Sequence, residues 1–115
     1  MRTEQFNEGN KLICKYIGDE LDNDTVIVGS GKRLHISEYH HQQQWDALIP
    51  VWSKAINELI SLSNDGKIDD WHYIDKQNDF LDATKFDNVL SAFQIVVSAI
   101  ELINTHKSKQ DGANL

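Results

Sequence analysis

The stretch that decides the fold is Trp45–Ile60, which reads WDALIPVWSKAINELI. Its large apolar residues recur at steps of three and four, as they do along one face of an amphipathic α-helix. This spacing predicts a long helix. Pro50 removes one helical hydrogen bond, so it should bend the helix or break its first turns. The turn residues Ser63–Gly66 should end it.

A second long helix is expected downstream, starting after Thr84. Thr84 and Asp87 resemble a capping box, with Asp in place of the usual Glu. The apolar stripe of this helix consists of Phe86, Val89, Leu90, Phe93, Val97, Ile100 and Ile103. Ile95, Val96 and Leu102 add apolar surface off that stripe, as in helices that lie centrally in a domain or in an oligomer interface. The pattern therefore also predicts a homodimer or a higher homo-oligomer.

A shorter helix is predicted near the amino terminus, from about Glu8 to Ile17. Asn7 can cap it by accepting hydrogen bonds from the free N–H groups of the first turn. Gly18 stands where a left-handed residue would close the helix. The acidic stretch Asp19–Asp24 then follows as a solvated turn.

Short strands are expected between these helices. Thr25–Val28 and Lys32–Ile36 flank a Gly-Ser-Gly tip, which is typical of a β-hairpin. Trp71–Ile74 has the aromatic content of a strand, and Phe80–Leu81 would begin a returning strand after the polar turn Asp75–Asp79. The sequence thus predicts an α+β domain in which three helices pack on a small, mostly antiparallel sheet of three or four short strands.

Length and composition indicate a single domain. Of the 115 residues, we expect 1–106 to form one α+β domain and 107–115 a flexible polar tail. The net charge of −7 repels a phosphate backbone, so general nucleic-acid binding is not expected. A lone Cys fits a reducing compartment, and no apolar leader or long apolar run is evident. We therefore expect a cytoplasmic protein without a membrane contact.

The sequence favours a binding protein over an enzyme. Its five His residues lack the spacing of a zinc site, and its carboxylates cluster in one stretch expected to be a solvated loop. No nucleophile elbow is present, and the single Cys14 is expected to be a packed helical residue. We predict no catalytic residue, no metal and no cofactor, although a small hydrolase that uses His and Asp stays an alternative.

Positive charge outside the termini concentrates after the Gly-rich tip. If the long helix began near Gln42, its free N–H groups would favour an anion beside these cations. Arginine, imidazole, an aromatic ring and a helix start together can bind a small phosphate-bearing ligand. The candidate ligand-binding residues are Lys32, Arg33, His35, Tyr39, His40, His41 and Trp45. A solvated hairpin is the alternative.

The block Trp45–Val51, followed by Lys54 and Ile56, resembles a Trp-Asp-x-Leu-Met-Pro-Val signature. That signature belongs to a family of small uncharacterised proteins of bacteriophages and Bacteroides-type bacteria. Those proteins also carry Asn-x-Leu-Ile before a Gly, as Asn10–Ile13 and Gly18 do here, and end in an apolar helix closing on Ile-Asn. Their Tyr-His pair lies three or four residues before the Trp, whereas here Gln42, Gln43 and Gln44 intervene.

The resemblance implies a small α/β sandwich of phage origin without known catalysis. Small phage proteins of this kind include counter-defence factors, some of them oligomeric sponges that sequester nucleotide immune signals. We therefore predict a non-enzymatic ligand-binding protein that captures a cyclic nucleotide or an ADP-ribose derivative in the host cytoplasm. The alternative is an acidic protein–protein interaction module, or an inhibitor, that acts on a basic partner.

Overall fold

The computed structural model describes residues 3–27, 31–38 and 44–113. Helix α1 covers Thr3–Ile17, so it begins before Asn7, and the predicted start at Glu8 is wrong. Its end agrees with the prediction, because Gly18 adopts φ 86°. The amide of Asp19 donates to the Cys14 carbonyl at 3.0 Å and thereby closes the last turn.

The predicted hairpin is confirmed and extended by one strand. Strands β1 (Glu20–Asp22), β2 (Thr25–Ile27) and β3 (Arg33–His35) form an antiparallel sheet in that order. The acidic stretch predicted as a turn therefore contributes β1, and Asn23 turns the chain with φ 54°. Val26 is paired with residues of both outer strands and is fully buried.

Helix α2 covers Trp45–Asn64 and confirms the long helix expected there. Pro50 lies inside it without ending it, so the predicted break of the first turns does not occur. The buried residues of α2 are Leu48, Val51, Trp52, Ala55 and Leu59. Gly66 with φ 75° follows the helix, as the turn residues predict.

Helix α3 covers Asp70–Lys85, where the sequence predicts two strands and a polar turn. The strands at Trp71–Ile74 and Phe80–Leu81 are wrong. Only Phe80 and Ala83 of this helix are buried, and their three-residue spacing puts them on one side of it. Four α-helices, three strands and a short 3₁₀ helix (Ile36–Glu38) therefore make up the regular elements of the described part of the chain, and the α+β class is confirmed.

Helix α4 covers Val89–Ala113 and passes beyond Ile103–Asn104, the Ile-Asn pair at which the family resemblance closes the last helix. The predicted capping box is wrong. Thr84 belongs to α3, and the cap is Asn88, whose Oδ1 accepts from the Ser91 amide at 3.1 Å.

The extra apolar residues of α4 are covered within the chain. Val96 is buried, and Ile95 and Leu102 pack against the core. The apolar residues off the main stripe of α4, from which an oligomer is predicted, are thus explained by packing within the chain. The oligomer itself stays a prediction.

The core forms where α4 packs against α1, α2 and α3, while the sheet packs mainly on α1. The helices therefore do not lie together on one sheet face as predicted. Helix α1 comes close to α4 at Gly9, because a Cβ at that position would lie 2.5 Å from Phe93 Cζ. The rings of Trp52 and Phe80 stack with centroids 4.3 Å apart and join α2 to α3.

One segment of α4 has the length and composition of a membrane span, contrary to the sequence prediction. It is Val89–His106, with a mean hydropathy of 1.3. Because α4 is the helix on which the other three pack, its apolar composition is also what a central core helix requires.

A polar contact joins α2 to the end of α1. Lys54 Nζ donates to the Tyr16 carbonyl oxygen at 2.6 Å and lies 4.3 Å from the centroid of the Tyr16 ring. Burial raises the pKa of the Tyr16 hydroxyl well above its usual range, and a hydrogen bond with Glu58 raises it further. Lys54 therefore supplies a hydrogen-bond donor to a carbonyl in the last turn of α1.

Candidate functional site

The structure places three of the predicted ligand residues on the hairpin. Arg33 and His35 are exposed and alternate with the half-buried Leu34, so they share one face of β3, and Lys32 is exposed just before them. This trio is called the hairpin cluster below. Tyr39, His40 and His41, predicted to belong to the same site, lie outside the described residues.

Carboxylates neighbour the hairpin cluster. Asp24 lies beside the end of β3, because the Ile36 amide donates to the Asp24 carbonyl oxygen at 2.6 Å. Lys11 Nζ lies 2.8 Å from Asp24 Oδ1. The hydrogen bond and the charge of Lys11 hold the pKa of Asp24 below its usual value, with a smaller contribution from His35. Part of the positive charge here is thus already balanced within the chain.

Trp45, the seventh predicted ligand residue, has a contact that anchors the start of α2. Its Nε1 donates to Asp87 Oδ1 at 2.7 Å, and its ring meets Phe80 edge-on with centroids 6.3 Å apart. Asp46 lies in the first turn of α2, so two carboxylates stand at this helix start. They weaken the attraction that the helix dipole would exert on an anion.

The described part of the chain contains neither a metal-ligand cluster nor an exposed thiol. No three His, Cys, Asp or Glu side chains come together there as metal ligands would. Cys14 is fully buried, which confirms it as a packed residue, and its Sγ donates weakly to the Asp19 carbonyl at 3.5 Å. Burial raises the pKa of the Cys14 thiol, so the nucleophilic thiolate is disfavoured.

The most distinctive surface lies on α3, on the side that points away from the core. Trp71 and Leu81 are each 56% exposed and Ile74 is 42% exposed, although all three are large and apolar. They follow one another at steps of three and seven residues, which puts them on one side of the helix. These three residues are called the α3 outer face below.

Carboxylates border the α3 outer face. Asp75 and Asp82 each follow one of its apolar residues directly, and Asp70 precedes Trp71. All three side chains belong to exposed residues. An apolar stripe with an acidic border is therefore presented to solvent.

Trp71, the largest residue of the α3 outer face, is held in place by its neighbours. Its Nε1 donates to Asp69 Oδ2 at 3.3 Å, and its ring stacks on His72 with centroids 3.8 Å apart. The start of α3 is itself tied to the end of α2, because Ser63 Oγ donates to Asp70 Oδ1. The indole thus presents a partly ordered apolar surface, which lowers the entropy lost on binding.

A groove of about 460 Å³ runs between α3 and α4 beside this face. Asp82 lines the groove and also borders the α3 outer face, so the two features are continuous. Phe86, 74% exposed, lies at the groove, and Lys76 Nζ donates across it to Ser98 Oγ at 3.0 Å. The groove extends the available contact surface beyond α3 itself.

Comparison of the chain with protein families, with characterised proteins and with solved structures finds no match. The resemblance to the phage and Bacteroides-type family therefore stays a prediction.

Sequence reasoning missed the α3 outer face because it assigned the segment to strands and a turn. The sequence nevertheless contains a spacing pattern that indicates this face. Trp71, Ile74, Asn78 and Leu81 follow the alternating three- and four-residue spacing of a helical seam. The inward pair Phe80 and Ala83 lies on another side, and the two sets together obscure a single helical stripe.

Proposed function

We propose that this protein is a non-catalytic binding protein that docks on a partner protein through the α3 outer face. The observation that carries the proposal is the exposure of Trp71, Ile74 and Leu81 together on one side of a helix. Scattered single apolar residues are common on protein surfaces, but three large apolar residues on one side of a helix, with an aromatic anchor among them, are typical of an interaction site.

The charge around this stripe supports a partner with basic residues. The chain carries a net charge of −7, and Asp70, Asp75 and Asp82 stand next to the apolar residues. Acidic borders accelerate encounter with a basic partner and repel acidic ones. This is the acidic interaction module that the sequence predicts as an alternative, now with a specific surface.

The test is retention of a partner from a lysate of the native cell. Immobilised wild-type protein should retain at least one partner at about 0.1 M salt and release much of it at about 1 M, where charges are screened within roughly 3 Å. The variant Trp71→Ala/Ile74→Ala/Leu81→Ala should lose that partner. Ile49→Ala is the matched control, because Ile49 is equally exposed, at 48%, but lies on α2. A partner retained equally by the triple variant would disprove the proposal.

A second candidate function is capture of a small phosphate-bearing ligand by the hairpin cluster, as in a sponge for a nucleotide immune signal. The exposed cations Lys32 and Arg33, with the exposed imidazole of His35 on the same strand face as Arg33, favour it. Calorimetry with cyclic dinucleotides and ADP-ribose should give measurable heat for the wild-type protein and none for Lys32→Ala/Arg33→Ala. Absence of binding at millimolar ligand would rule this function out.

A further inference from the structure

We infer that the α3 outer face binds an amphipathic helix that carries basic residues along both edges of its apolar stripe. The inference rests on the proposed function and names the structure and charge of the partner element. It follows from the spacing of the apolar residues along α3, from the positions of the acidic residues beside them, and from the poor fit of a second copy.

Five exposed residues of α3 have the spacing of a coiled-coil seam. Trp71, Ile74, Asn78, Leu81 and Lys85 occupy alternating steps of three and four, as positions a and d of two heptads do. All five are exposed. At a rise of about 1.5 Å per residue, this seam is roughly 21 Å long, which matches a partner helix of about two heptads.

The rest of α3 leaves this seam free. In the same heptad frame, the buried residues Phe80 and Ala83 occupy positions c and f, which lie on the opposite side from a and d. Lys76, also at position f, reaches Ser98 of α4. The core thus binds one side of the helix, and the other side is available for a second helix to pack on it.

The acidic residues occupy the edges of the seam. Asp75 and Asp82 are at the two e positions, and Asp70 is at a g position. In coiled coils the e and g positions select the partner by charge. A partner with Lys or Arg at its own e and g positions would form ion pairs along this edge, whereas Asp or Glu there would be repelled.

A second copy of the chain fits this seam poorly. In a parallel pair, position g contacts position e of the next heptad, so Asp70 would face Asp75 of the other copy. In an antiparallel pair, e positions face each other and would bring Asp75 or Asp82 against an identical carboxylate. Both arrangements place like charges together, so charge complementarity selects a basic partner helix over self-association.

The test uses labelled synthetic helices of about 18 residues, long enough for the seam. One peptide has Leu at a and d and Lys at e and g. A second has Glu in place of Lys, and a third keeps the Lys but has Ser at a and d. By fluorescence anisotropy, we expect the Leu/Lys peptide to bind, and the other two to bind at least about tenfold more weakly.

A charge reversal gives the sharper result. Asp75→Lys/Asp82→Lys should reverse the preference, so that the Leu/Glu peptide binds better than the Leu/Lys peptide. Glu20→Lys/Asp22→Lys is the matched control, because it changes the net charge equally on exposed residues of β1. It should leave the order of the peptides unchanged. A structural role of the aspartates would not produce a reversal, and circular dichroism would verify that each variant is folded.

Three results would overturn the inference. They are equal affinity for the Lys and Glu peptides, absence of binding to any of them, and dimerisation of the wild-type chain that Leu81→Ala abolishes. If a lysate partner were still lost in the Trp71→Ala/Ile74→Ala/Leu81→Ala variant, the first two results would leave the proposed function standing. If no partner depended on those residues, the proposed function itself would fail.

Discussion

Helices α2 and α3 are neighbours that use apolar residues in different ways. Along α2 the buried residues fall on one stripe, and Ile49 alone among its large apolar residues is highly exposed. Along α3 the apolar residues divide between an inward pair, Phe80 and Ala83, and the outward α3 outer face. The two helices meet where Trp52 stacks on Phe80.

The difference shows that the same residue types serve two purposes depending on the direction in which they point. An inward aromatic contributes to stability by leaving water and filling the core. An outward aromatic residue leaves its apolar area exposed to water. That area contributes a favourable free energy of burial only when another surface covers it. Substitutions on the two sides of α3 should therefore separate stability from binding, and the predictions below test this division.

The largest effect on the free energy of unfolding is expected at Phe80, and almost none is expected at its neighbour Leu81. Phe80→Ala should lower the free energy of unfolding by about 3–5 kcal/mol, because the ring is 5% exposed and contacts both Trp45 and Trp52. Leu81→Ala should change it by no more than about 0.5 kcal/mol, since Leu81 is mostly exposed and Ala is an equally good helix former. Urea unfolding of both variants measures the contrast. Equal losses would show that the α3 outer face is part of the core.

An intermediate effect is expected where α1 meets α4. A methyl group at Gly9 would overlap Phe93, whose ring is fully buried, so that the ring or its neighbours would have to shift within a packed core. Overpacking of this kind costs about 1–3 kcal/mol, which exceeds the gain of roughly 1 kcal/mol that Ala brings to a helix interior. Gly9→Ala should therefore lower the unfolding midpoint.

The control for this prediction is the double variant Gly9→Ala/Phe93→Leu. Replacing the Phe93 ring by the smaller leucine side chain makes room for the methyl group, so the loss from Gly9→Ala should be smaller in that background than in the wild-type chain. A double-mutant cycle by urea unfolding measures this coupling, which exists only if the two positions touch. Additive losses would contradict the close approach of α1 and α4.

Helices α2 and α3 also differ in how well the sequence predicts them. The spacing of Leu48, Trp52 and Leu59 predicts α2 correctly, because only one side of that helix is apolar. The run Trp71–Ile74 predicts a strand wrongly, since its aromatic and β-branched content favours strands while tertiary packing of Phe80 favours the helix. The hairpin of β2 and β3 is correct because its Gly-rich tip lies between two short β-branched or alternating segments.

The candidate site is less accessible to sequence reasoning than the fold. Exposure is a tertiary property, and nothing in the composition of α3 states which of its two apolar sets faces solvent. The hydrogen bond of Trp45 with Asp87 is likewise beyond local sequence patterns, because it joins residues far apart in the chain, and the assignment of Trp45 to a ligand site stays a prediction. The hairpin cluster was found from local charge alone, and it stays a prediction.

The smallest effect is expected from a polar contact on the exposed surface, far from the inward side of α3. Lys11 holds the pKa of Asp24 below its usual value, so this pair contributes stability above the unfolded pKa of about 3.9 and loses it as the pH falls through the folded pKa. The difference in thermal midpoint between the wild-type protein and Asp24→Asn should therefore be present at about pH 6 and shrink toward about pH 2. In a Lys11→Met background the same difference should vary much less with pH, because the main partner that lowers the pKa of Asp24 is gone and only the smaller contribution of His35 remains. A pH-independent difference in both backgrounds would show that the contact contributes through shape or hydrogen bonding alone, and that the exposed polar pairs of this fold carry no titratable stability.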